Sequence, residues 1–373
     1  MISIMSFNPI PRVPDGIKTI ILDDLRSAVN GRAILITGGT GFVGKWLLEL
    51  ICWGRSAQSI KPKSIMVMAR RPERLRSDVP HLFELGETLK AVSIDCKHVS
   101  VTQALEALRC AGMETVDVLI HAAGDTSVET LRDNPSDLLL GNINMMAWSL
   151  EMAKALRTES FLFTSSGAAY GSGMNQETPY QEDSLLAPYT MCSRDAYGES
   201  KRCAEMMLAC EAERGGVKRG LVARLFTFVG PYIPLDSHFA VSNFIRCGCM
   251  GENIVVRSPK VVRSYMHGFE MACVLIAILA RGESCSIYNV GSDDPVNMLT
   301  LSKEIAELCG TKVRIHSVNS DRQFAASYYL PSMKKTWGLC GYRSWLSLKE
   351  SIQQTIAWHQ YRTGVNELAK LKP

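Results

Sequence analysis

The sequence predicts an α/β protein whose centre is a doubly wound parallel sheet, and three observations favour this fold class. Short apolar runs recur along the first 225 residues, helical patterns separate them, and the first run ends in a glycine-rich turn that leads straight into a helix. Strands that alternate with helices at this spacing are typical of parallel sheets covered by helices on both faces. Beyond residue 226 the periodicity loosens.

Composition excludes several classes of function. The 373 residues are 46% hydrophobic and 21% charged, with a formal net charge of +4, and no basic run with interleaved aromatics predicts a nucleic-acid partner. No apolar run approaches about 18 residues and no secretory signal is present, so we expect neither a membrane span nor export. The twelve cysteines include no Cys-x-x-Cys pair, which favours reduced thiols and a cytoplasmic location. His238 and His267 lack ligand spacing, so no metal site is expected.

The glycine turn comes directly after the first predicted strand, residues 33–36. Gly38 permits the turn, Gly41 lets a pyrophosphate approach the backbone, and Gly44 lets the following helix pack close to the strand. A strand, a tight turn and a helix N-terminus together form an anion site, because free N–H groups and the helix dipole point at the ligand. The sequence therefore predicts a dinucleotide site with these cofactor contacts: Gly38, Thr40, Gly41, Phe42, Val43 and Gly44.

The end of the second predicted strand, residues 64–69, bears on the choice of cofactor. In dinucleotide folds a carboxylate here usually accepts hydrogen bonds from the adenosine ribose. This chain has Ala69 followed by Arg70 and Arg71. A guanidinium binds a 2′-phosphate bidentately, which favours NADP(H) and makes Arg70 a predicted cofactor contact. The alternative, in which Arg70 stacks on adenine or is a solvated charge, leaves NAD(H) open.

The next two predicted strands also end in candidate cofactor contacts. Residues 92–95 form a third strand, after which Asp95 is placed to accept from the adenine amino group. The fourth strand, residues 116–121, runs into small residues that let a ribose lie against the backbone: Ala122, Ala123 and Gly124. Asn142 begins a helix, where its amide either fixes the backbone or holds a water molecule near the reacting groups.

A fifth strand and the helix after it carry the predicted catalytic residues. The strand, residues 161–166, ends at Ser166, and Tyr197 and Lys201 lie four residues apart on one helix face. We expect the Lys201 ammonium to lower the pKa of the Tyr197 phenol towards neutrality and to hold the nicotinamide ribose. Ser166 would donate to a substrate carbonyl or alkoxide. This set suits the interconversion of a secondary alcohol and a ketone beside a hydride carrier.

These motifs, in this order, resemble the extended short-chain dehydrogenase/reductases of the NAD-dependent epimerase/dehydratase family, which act on nucleotide sugars. The resemblance covers about residues 30–360 and rests on GGTGFVG at 38–44, HAAG at 121–124, Asn142, TSSGAAYG at 164–171, YGESK at 197–201, RLF at 224–226, GP at 230–231, RSY at 263–265 and YNVG at 288–291. It implies catalytic roles for Ser166, Tyr197 and Lys201, and a homodimer.

The resemblance also implies a division of the chain. An N-terminal arm, residues 1–30, which we expect to be loose with a short helix, precedes a Rossmann dinucleotide-binding domain at 31–225. A smaller mixed α/β domain at 226–373 binds the nucleotide sugar, with some segments returning to the Rossmann core. The substrate contacts that the resemblance implies are Thr126, Thr227, Asn243 and Arg263.

One departure from the family narrows the range of reactions that we expect of this chain. Sugar 4,6-dehydratases carry an Asp-Glu pair, and UDP-glucuronate decarboxylases a glutamate, where this chain has Gly167-Ala168. Without an acid there, the sequence favours hydride chemistry at C4. We expect an NADPH-dependent reductase of a dTDP-, CDP- or UDP-linked 4-keto-6-deoxyhexose, in lipopolysaccharide or O-antigen sugar synthesis. The alternative is a 4-epimerase like UDP-glucose 4-epimerase with tightly bound NAD; a dehydratase or decarboxylase is less favoured.

Two other classes of function remain open at this point. One is a dehydrogenase on the same scaffold that acts on a lipid or phenolic alcohol, but such substrates carry no diphosphate for Arg263. A redox-sensing binding protein would retain the dinucleotide fold, but it would have no need of Ser166, Tyr197 and Lys201.

Overall fold

A seven-stranded sheet lies at the centre of the computed structural model, which describes residues 7–58, 60–171, 178–237, 239–316 and 327–370. In chain order the strands are β1 Ala33–Thr37, β2 Ser64–Ala69, β3 Leu89–Ser93, β4 Val118–His121, β5 Ser160–Ser166, β6 Arg219–Leu225, β7 Phe228–Val229, β8 Ile254–Val256, β9 Val262–Arg263, β10 Met266–His267, β11 Ser286–Val290, β12 Val296–Asn297, β13 Val313–Ile315 and β14 Tyr328–Tyr329.

The α-helices connect and cover these strands. They are α1 Asp15–Val29, α2 Phe42–Gln58, α3 Glu73–Asp78, α4 Val101–Cys110, α5 Val128–Asp133, α6 Pro135–Ala155, α7 Ala196–Glu213, α8 Ala240–Cys249, α9 Gly268–Arg281, α10 Met298–Cys309, α11 Lys334–Cys340 and α12 Leu348–Lys370. Short 3-10 helices cover Pro80–Thr88, Gly167–Tyr170 and Ser193–Asp195. Among the helices so described, none combines the length and apolar character needed to span a membrane.

The central sheet has the order β3-β2-β1-β4-β5-β6-β11, and every neighbouring pair is parallel. The chain first winds outward from β1 to β3 and then returns to β4 on the other side of β1. Ligands bind at such a switch point, in the crevice outside the carboxyl ends of the strands. The predicted doubly wound Rossmann fold is confirmed, and its crevice opens between β1 and β4.

Both faces of the sheet are buried, which explains why its strands are continuously apolar. Ile34 and Ile36 point into a core formed with α1, α2 and α9, whereas Leu35 points into a second core with α4, α6 and α7. A third core lies outside the sheet, where Phe244 of α8, Leu301 of α10 and their neighbours pack together. The chain after residue 226 thus contributes β11 to the sheet and α9 to the core that covers one face of it, whereas α8 and α10 belong to this separate cluster.

Three elements differ from the sequence prediction. The helix expected to begin at Asn142 begins at Pro135, a residue type favoured in the first turn of a helix. The loose arm expected at 1–30 contains a 15-residue helix, α1, whose residues Ile21, Leu25 and Val29 are completely buried against the sheet core. Their spacing of four residues places them on one face of the helix, so apolar packing holds the helix against this core. The third strand, predicted at 92–95, is Leu89–Ser93, because it pairs with β2 and ends level with it, Ala69 opposite Ser93.

Candidate functional site

The glycine turn at the end of β1 has the geometry that an anion site needs. Gly38 has a φ of +70°, and a Cβ atom there would lie 2.7 Å from the Ala122 carbonyl oxygen. Only glycine therefore fits between β1 and β4. A Cβ on Gly44 would lie 2.3 Å from the Cα of Gly39, so the turn and the first helical turn touch backbone to backbone. Helix α2 begins at Phe42, directly after the turn, and the N–H groups of its first turn lack partners within the helix.

A cavity of about 810 Å³ occupies this crevice. Most of the predicted cofactor contacts line it: Gly38, Thr40, Gly41, Arg70, Asp95, Ala122, Ala123 and Gly124. Thr126, predicted to contact substrate, lines it as well. The volume suits a ligand of drug size or larger, and the glycine turn leaves no room for side chains where a pyrophosphate would lie. The residues present therefore fit a dinucleotide.

The far end of this first cavity carries two cations. Arg70 follows β2, and its carbonyl accepts from the Ser93 hydroxyl at 3.2 Å. Lys97 also lines the cavity, and its backbone N–H donates to the Asp95 carboxylate at 3.1 Å, which fixes the turn after β3. Within the described part of the chain no carboxylate forms an ion pair with Arg70 or Lys97. Lys97 was missed because its backbone turn, and no sequence motif, brings it to the cavity.

The predicted catalytic residues meet where β5 ends against the start of α7. A Cβ on Gly198 would lie 2.3 Å from the Ala168 carbonyl oxygen, so this glycine lets α7 approach the end of β5. The Lys201 ammonium donates to the Thr164 carbonyl at 3.1 Å and lies 5.8 Å from the centre of the Tyr197 ring. It also lies behind the first cavity, 3.3 Å from where a Cβ on Gly124 would be.

Burial dominates the protonation of this pair. Loss of solvation raises the pKa of Tyr197 to about 12, against a lowering by the Ser166 hydroxyl, while the nearby Asp125 charge raises it further. Burial also lowers the pKa of Lys201 to about 8. The expectation that Lys201 brings the Tyr197 pKa towards neutrality is therefore wrong for this structure. The ammonium is directed at a backbone carbonyl, and desolvation of the phenolate outweighs the attraction.

Asn142 fixes the backbone, which is one of the two roles that the sequence left open. Its amide oxygen accepts from the Asp125 N–H at 2.8 Å, and its amide nitrogen donates to the Asp125 carbonyl at 3.1 Å and to the Ser200 hydroxyl at 3.2 Å. Its polar atoms are thus used within the protein, and it does not line the first cavity. These three hydrogen bonds join α6 and α7 to the loop after β4.

Asp125, which sequence reasoning missed, lines the first cavity close enough to Tyr197 to raise its pKa. One carboxylate oxygen accepts from the Ser127 N–H at 2.9 Å, so the side chain is anchored. Its position directly after the HAAG motif was the available signal. A carboxylate therefore lies near the predicted catalytic residues, but it comes from the loop after β4 and not from the Gly167-Ala168 position.

A second cavity, of about 790 Å³, gathers three of the predicted substrate contacts, Thr227, Asn243 and Arg263. Pro234 and Phe239 line both cavities, so the two adjoin. Phe42, predicted as a cofactor contact, lies in the wall of this second cavity, where its ring stacks on Phe228 at 6.3 Å between centroids. Its backbone belongs to the turn, whereas its side chain faces the other ligand site. Val43 and Gly44 line neither cavity.

Arg263 is the one predicted substrate contact with an unbalanced charge. Its guanidinium donates to the carbonyls of Val262 at 2.7 Å and Ser327 at 3.2 Å, and burial lowers its pKa. In the described ranges no carboxylate pairs with it. A half-buried cation without a counterion attracts an anion such as a diphosphate. The other two contacts are partly committed: Thr227 donates to the Ser264 carbonyl, and Asn243 accepts from Arg246 at 2.9 Å.

Tyr329 is a third residue, after Lys97 and Asp125, that the sequence did not reveal. A Cβ on Gly167 would lie 2.5 Å from the Tyr329 hydroxyl oxygen, so this hydroxyl sits beside the end of β5. Burial raises the pKa of both Tyr329 and Tyr197, against a lowering by the Ser166 hydroxyl, which itself accepts from the Ala168 N–H at 3.2 Å. No local pattern marks this tyrosine, because β14 reaches the site only through tertiary folding.

Metal-ligating residues do not cluster in the ranges that the structure covers, where no group of three or more His, Cys, Asp or Glu side chains could hold an ion. His267 accepts from the Phe269 N–H at 3.1 Å at the start of α9, and burial lowers its pKa to about 3. His238 lies outside the described residues.

Comparison with known proteins gives one family. The model of the NAD dependent epimerase/dehydratase family matches residues 34–291. UDP-glucuronic acid decarboxylase 5 of Arabidopsis thaliana is 24% identical over 336 residues, which cover 90% of this chain and 91% of the relative. GDP-6-deoxy-D-mannose reductase of Pseudomonas aeruginosa is 25% identical over 296 residues, covering 76% and 82%.

The fold recurs in solved structures. A mutant of UDP-glucuronic acid 4-epimerase from Bacillus cereus, in complex with UDP-4-deoxy-4-fluoro-glucuronic acid and NAD, superposes with a TM-score of 0.72 at 17% identity. The alignment covers 88% of this chain and 99% of the epimerase. At this identity the likeness shows the fold.

Proposed function

Because the chain belongs to the NAD dependent epimerase/dehydratase family, we propose that it is an NAD(P)-dependent oxidoreductase acting at C4 of a nucleotide-activated sugar. One observation carries the proposal: the Ser166, Tyr197 and Lys201 set lines neither cavity itself but borders a residue of each. Lys201 backs onto Gly124 of the first cavity, and Gly167 contacts Phe226 of the second. The first cavity fits the dinucleotide, and the second offers Arg263 to a diphosphate.

The reaction direction that we propose is reduction of a ketone. A dinucleotide held in the first cavity would supply the hydride for the carbonyl carbon, and the carbonyl oxygen would then need a proton to become a secondary alcohol. Tyr197, whose pKa burial raises to about 12, is protonated at neutral pH and is therefore a proton donor. Ser166 donates a hydrogen bond to the same oxygen, and Lys201, held by the Thr164 carbonyl, keeps a positive charge near it.

The surroundings of Gly167 support hydride chemistry over elimination. Its hypothetical Cβ would clash with the Tyr329 hydroxyl at 2.5 Å and with the Phe226 ring at 2.8 Å. An acidic side chain therefore has no room at this position. We propose a dTDP-, CDP- or UDP-linked 4-keto-6-deoxyhexose as substrate and NADPH as reductant, with Arg70 and Lys97 near the adenosine 2′-phosphate.

The proposal has three further parts. A homodimer and a role in supplying sugars for surface polysaccharides such as lipopolysaccharide follow from the family resemblance, whereas a cytoplasmic location follows from the cysteine usage. Exposed apolar side chains on α6 and α7, Leu140 and Met206, are compatible with pairing of these helices.

The test is an incubation of the purified protein with a dTDP-4-keto-6-deoxyhexose, UDP-glucose or UDP-glucuronate, each with and without NADPH. Products are followed by proton NMR and NADPH by its absorbance. We expect stoichiometric NADPH consumption with the 4-keto sugar alone. Turnover of UDP-glucose without added reductant would instead indicate a 4-epimerase, and release of carbon dioxide from UDP-glucuronate would overturn the interpretation of Gly167-Ala168.

Tyr197→Phe is the matched control in this assay. Removal of the proton donor should lower turnover by about 1,000-fold. The affinity for the dinucleotide should stay within about twofold, because Tyr197 does not line the first cavity. A variant that turns over at the wild-type rate would contradict the proposed mechanism.

A further inference from the structure

We propose that Glu205 is a positioning residue for Lys201: its carboxylate, held by Arg224, fixes helix α7 against β5 and places a negative charge one helical turn from the ammonium. This inference rests on the proposed function, in which Lys201 keeps a positive charge near the reacting oxygen. Neither Glu205 nor Arg224 lines either of the two cavities, so their effect on the reaction must pass through other residues.

The ion pair between Glu205 and Arg224 is buried and completely formed. The two side chains are 8% and 6% exposed. The Arg224 Nε and Nη2 atoms donate to the two carboxylate oxygens at 2.9 and 2.6 Å, a bidentate geometry that fixes both groups in direction. Buried ion pairs often add no more stability than apolar groups of the same volume. We therefore look for the role of this pair in the positions that it fixes.

Glu205 joins helix α7 to two neighbouring strands at one level of the sheet. Ser165 of β5 and Arg224 of β6 lie directly opposite each other in their parallel pair. The Ser165 hydroxyl donates to Glu205 Oε1 at 2.6 Å, the same oxygen that accepts from Arg224 Nε. One carboxylate thus accepts three hydrogen bonds from two strands, which defines both the height and the rotation of α7 over the sheet.

Lys201 depends on this placement of the helix. Lys201 and Glu205 are four residues apart, so they are neighbours on one face of α7. Lys201 donates to the Thr164 carbonyl at 3.1 Å, and Glu205 accepts from the next residue of the strand, Ser165. Helix α7 therefore cannot slide or turn on β5 without moving the ammonium. Because Ser166 follows Ser165 directly, the same contact fixes the end of the strand from which Ser166 donates.

The negative charge of Glu205 also acts on the Lys201 ammonium. Burial lowers the pKa of Lys201 to about 8, and the Glu205 carboxylate opposes this by raising it. Burial lowers the pKa of the nearby His121 to about 3, so this side chain is neutral at neutral pH. On helix α6, the uncharged amide of Asn142 lies beside Lys201 at Gly124. The other titratable groups around this part of α7 in the described residues are Tyr197, Asp195, Asp125, Tyr170 and Arg224. All of them are retained when Glu205 is replaced, so a change in the titration of Lys201 reports the Glu205 charge.

The first test is a pH titration that needs no turnover. In purified protein labelled with 13Cε-lysine, the Lys201 resonance is assigned from its loss in Lys201→Arg. Glu205→Gln keeps the shape of the side chain but removes the charge that favours the ammonium. We expect this variant to lower the pKa of Lys201 by at least about one unit. An unchanged pKa would overturn the proposal.

Glu199→Gln is the matched control for the loss of a carboxylate from the same helix. Glu199 is two residues from Lys201 and therefore points to another side of α7, where its side chain is 40% exposed and pairs with Arg202 at 3.7 Å. The pKa of Lys201 should change by less than about 0.5 units in this variant. A shift as large as that in Glu205→Gln would show that the effect is not specific to the buried carboxylate, and the proposal would fail.

The second test follows turnover of the 4-keto sugar with NADPH. Deprotonation of Lys201 removes the positive charge near the substrate oxygen, so kcat should fall at alkaline pH. In Glu205→Gln this fall should begin about one pH unit lower than in the wild type, with KM for the sugar within about twofold. A loss of kcat that is equal at every pH would indicate general damage and contradict the assigned role.

Ser165→Ala is a second variant, chosen because it keeps the buried ion pair intact and decides the question even if Glu205→Gln fails to fold. It removes only the hydrogen bond between β5 and Glu205. We expect kcat to fall about fivefold, while the pKa of Lys201 stays within about 0.5 units, because the position changes and the charge does not. An unchanged kcat would refute the positioning role. If the Lys201 resonance responds to Glu205→Gln as expected but no nucleotide sugar is turned over, the link between Glu205 and Lys201 stands and the proposed function fails.

Discussion

The two cavities adjoin, but different parts of the protein line them. The first is lined largely by backbone and small residues at the carboxyl ends of parallel strands, such as Gly38, Gly41 and Ala122. The second is lined by large side chains from β7, α8 and β9, among them Phe228, Phe244 and Arg263. The shape of the first cavity therefore depends on the absence of side chains at its glycines, and the shape of the second depends on the large side chains that line it.

This difference determines how each site tolerates change. A backbone-lined crevice depends on glycines whose replacement meets fixed atoms, because main chain cannot move aside. A side-chain-lined cavity can be altered one group at a time, and each change affects the ligand group that it contacted. Substitutions of the glycines in the first cavity should therefore abolish ligand binding, whereas substitutions in the second cavity should weaken ligand binding by graded amounts.

Gly38→Ala should break the first site most severely. A methyl group there would lie 2.7 Å from the Ala122 carbonyl oxygen, at a φ of +70° that disfavours alanine. We expect dinucleotide affinity to fall at least about 100-fold, about 3 kcal/mol. The measurement is a binding isotherm for NADPH by calorimetry.

Gly141→Ala is the control for a glycine substitution of the same size. Gly141 lies within α6, and its added Cβ would meet no atom within 4 Å. This variant should bind NADPH normally and be more stable by about 0.5–1 kcal/mol, since alanine favours the helix. If both variants lose binding alike, general destabilisation and not the crowded turn would be responsible.

Arg263→Ala should produce the graded loss expected of the second cavity. The guanidinium is the charge available to a diphosphate, and a hydrogen bond to a charged group contributes about 1.5–3 kcal/mol. We expect KM for the nucleotide sugar to rise about 30-fold while the NADPH affinity stays within about twofold. Steady-state kinetics with calorimetry for the cofactor measure both.

Arg263→Lys refines the same comparison. Lysine retains the charge but loses the bidentate geometry and the stacking on Tyr329, so its KM should fall between those of Arg263→Ala and the wild type. A parallel loss of NADPH affinity in both variants would show that the two cavities are energetically one site.

The same difference between backbone-lined and side-chain-lined cavities explains which parts of the fold and of the site can be predicted from the sequence. The strands, the glycine turn and the spacing of Tyr197 and Lys201 are short-range patterns, so the sheet and most of the first cavity follow from them. Tyr329 and Lys97 belong to no such pattern, because the path of the chain in three dimensions brings Tyr329 to the end of β5 and Lys97 to the first cavity. The pKa of Tyr197 was mispredicted for a related reason: the neighbour is visible in the sequence, but the burial is not.

Arg70 offers the smallest and most selective effect, because it is the point at which a side chain intrudes on the backbone-lined cavity. If it pairs with a 2′-phosphate, Arg70→Ala should weaken NADPH binding about tenfold and NADH binding by less than about twofold. Arg71→Ala is the matched control, since Arg71 is exposed and does not line the cavity. Equal losses for the two cofactors in Arg70→Ala would indicate stacking on adenine, which both cofactors share. Such a result would remove the argument for the phosphorylated cofactor and assign Arg70 to the part of the dinucleotide that NADH and NADPH share.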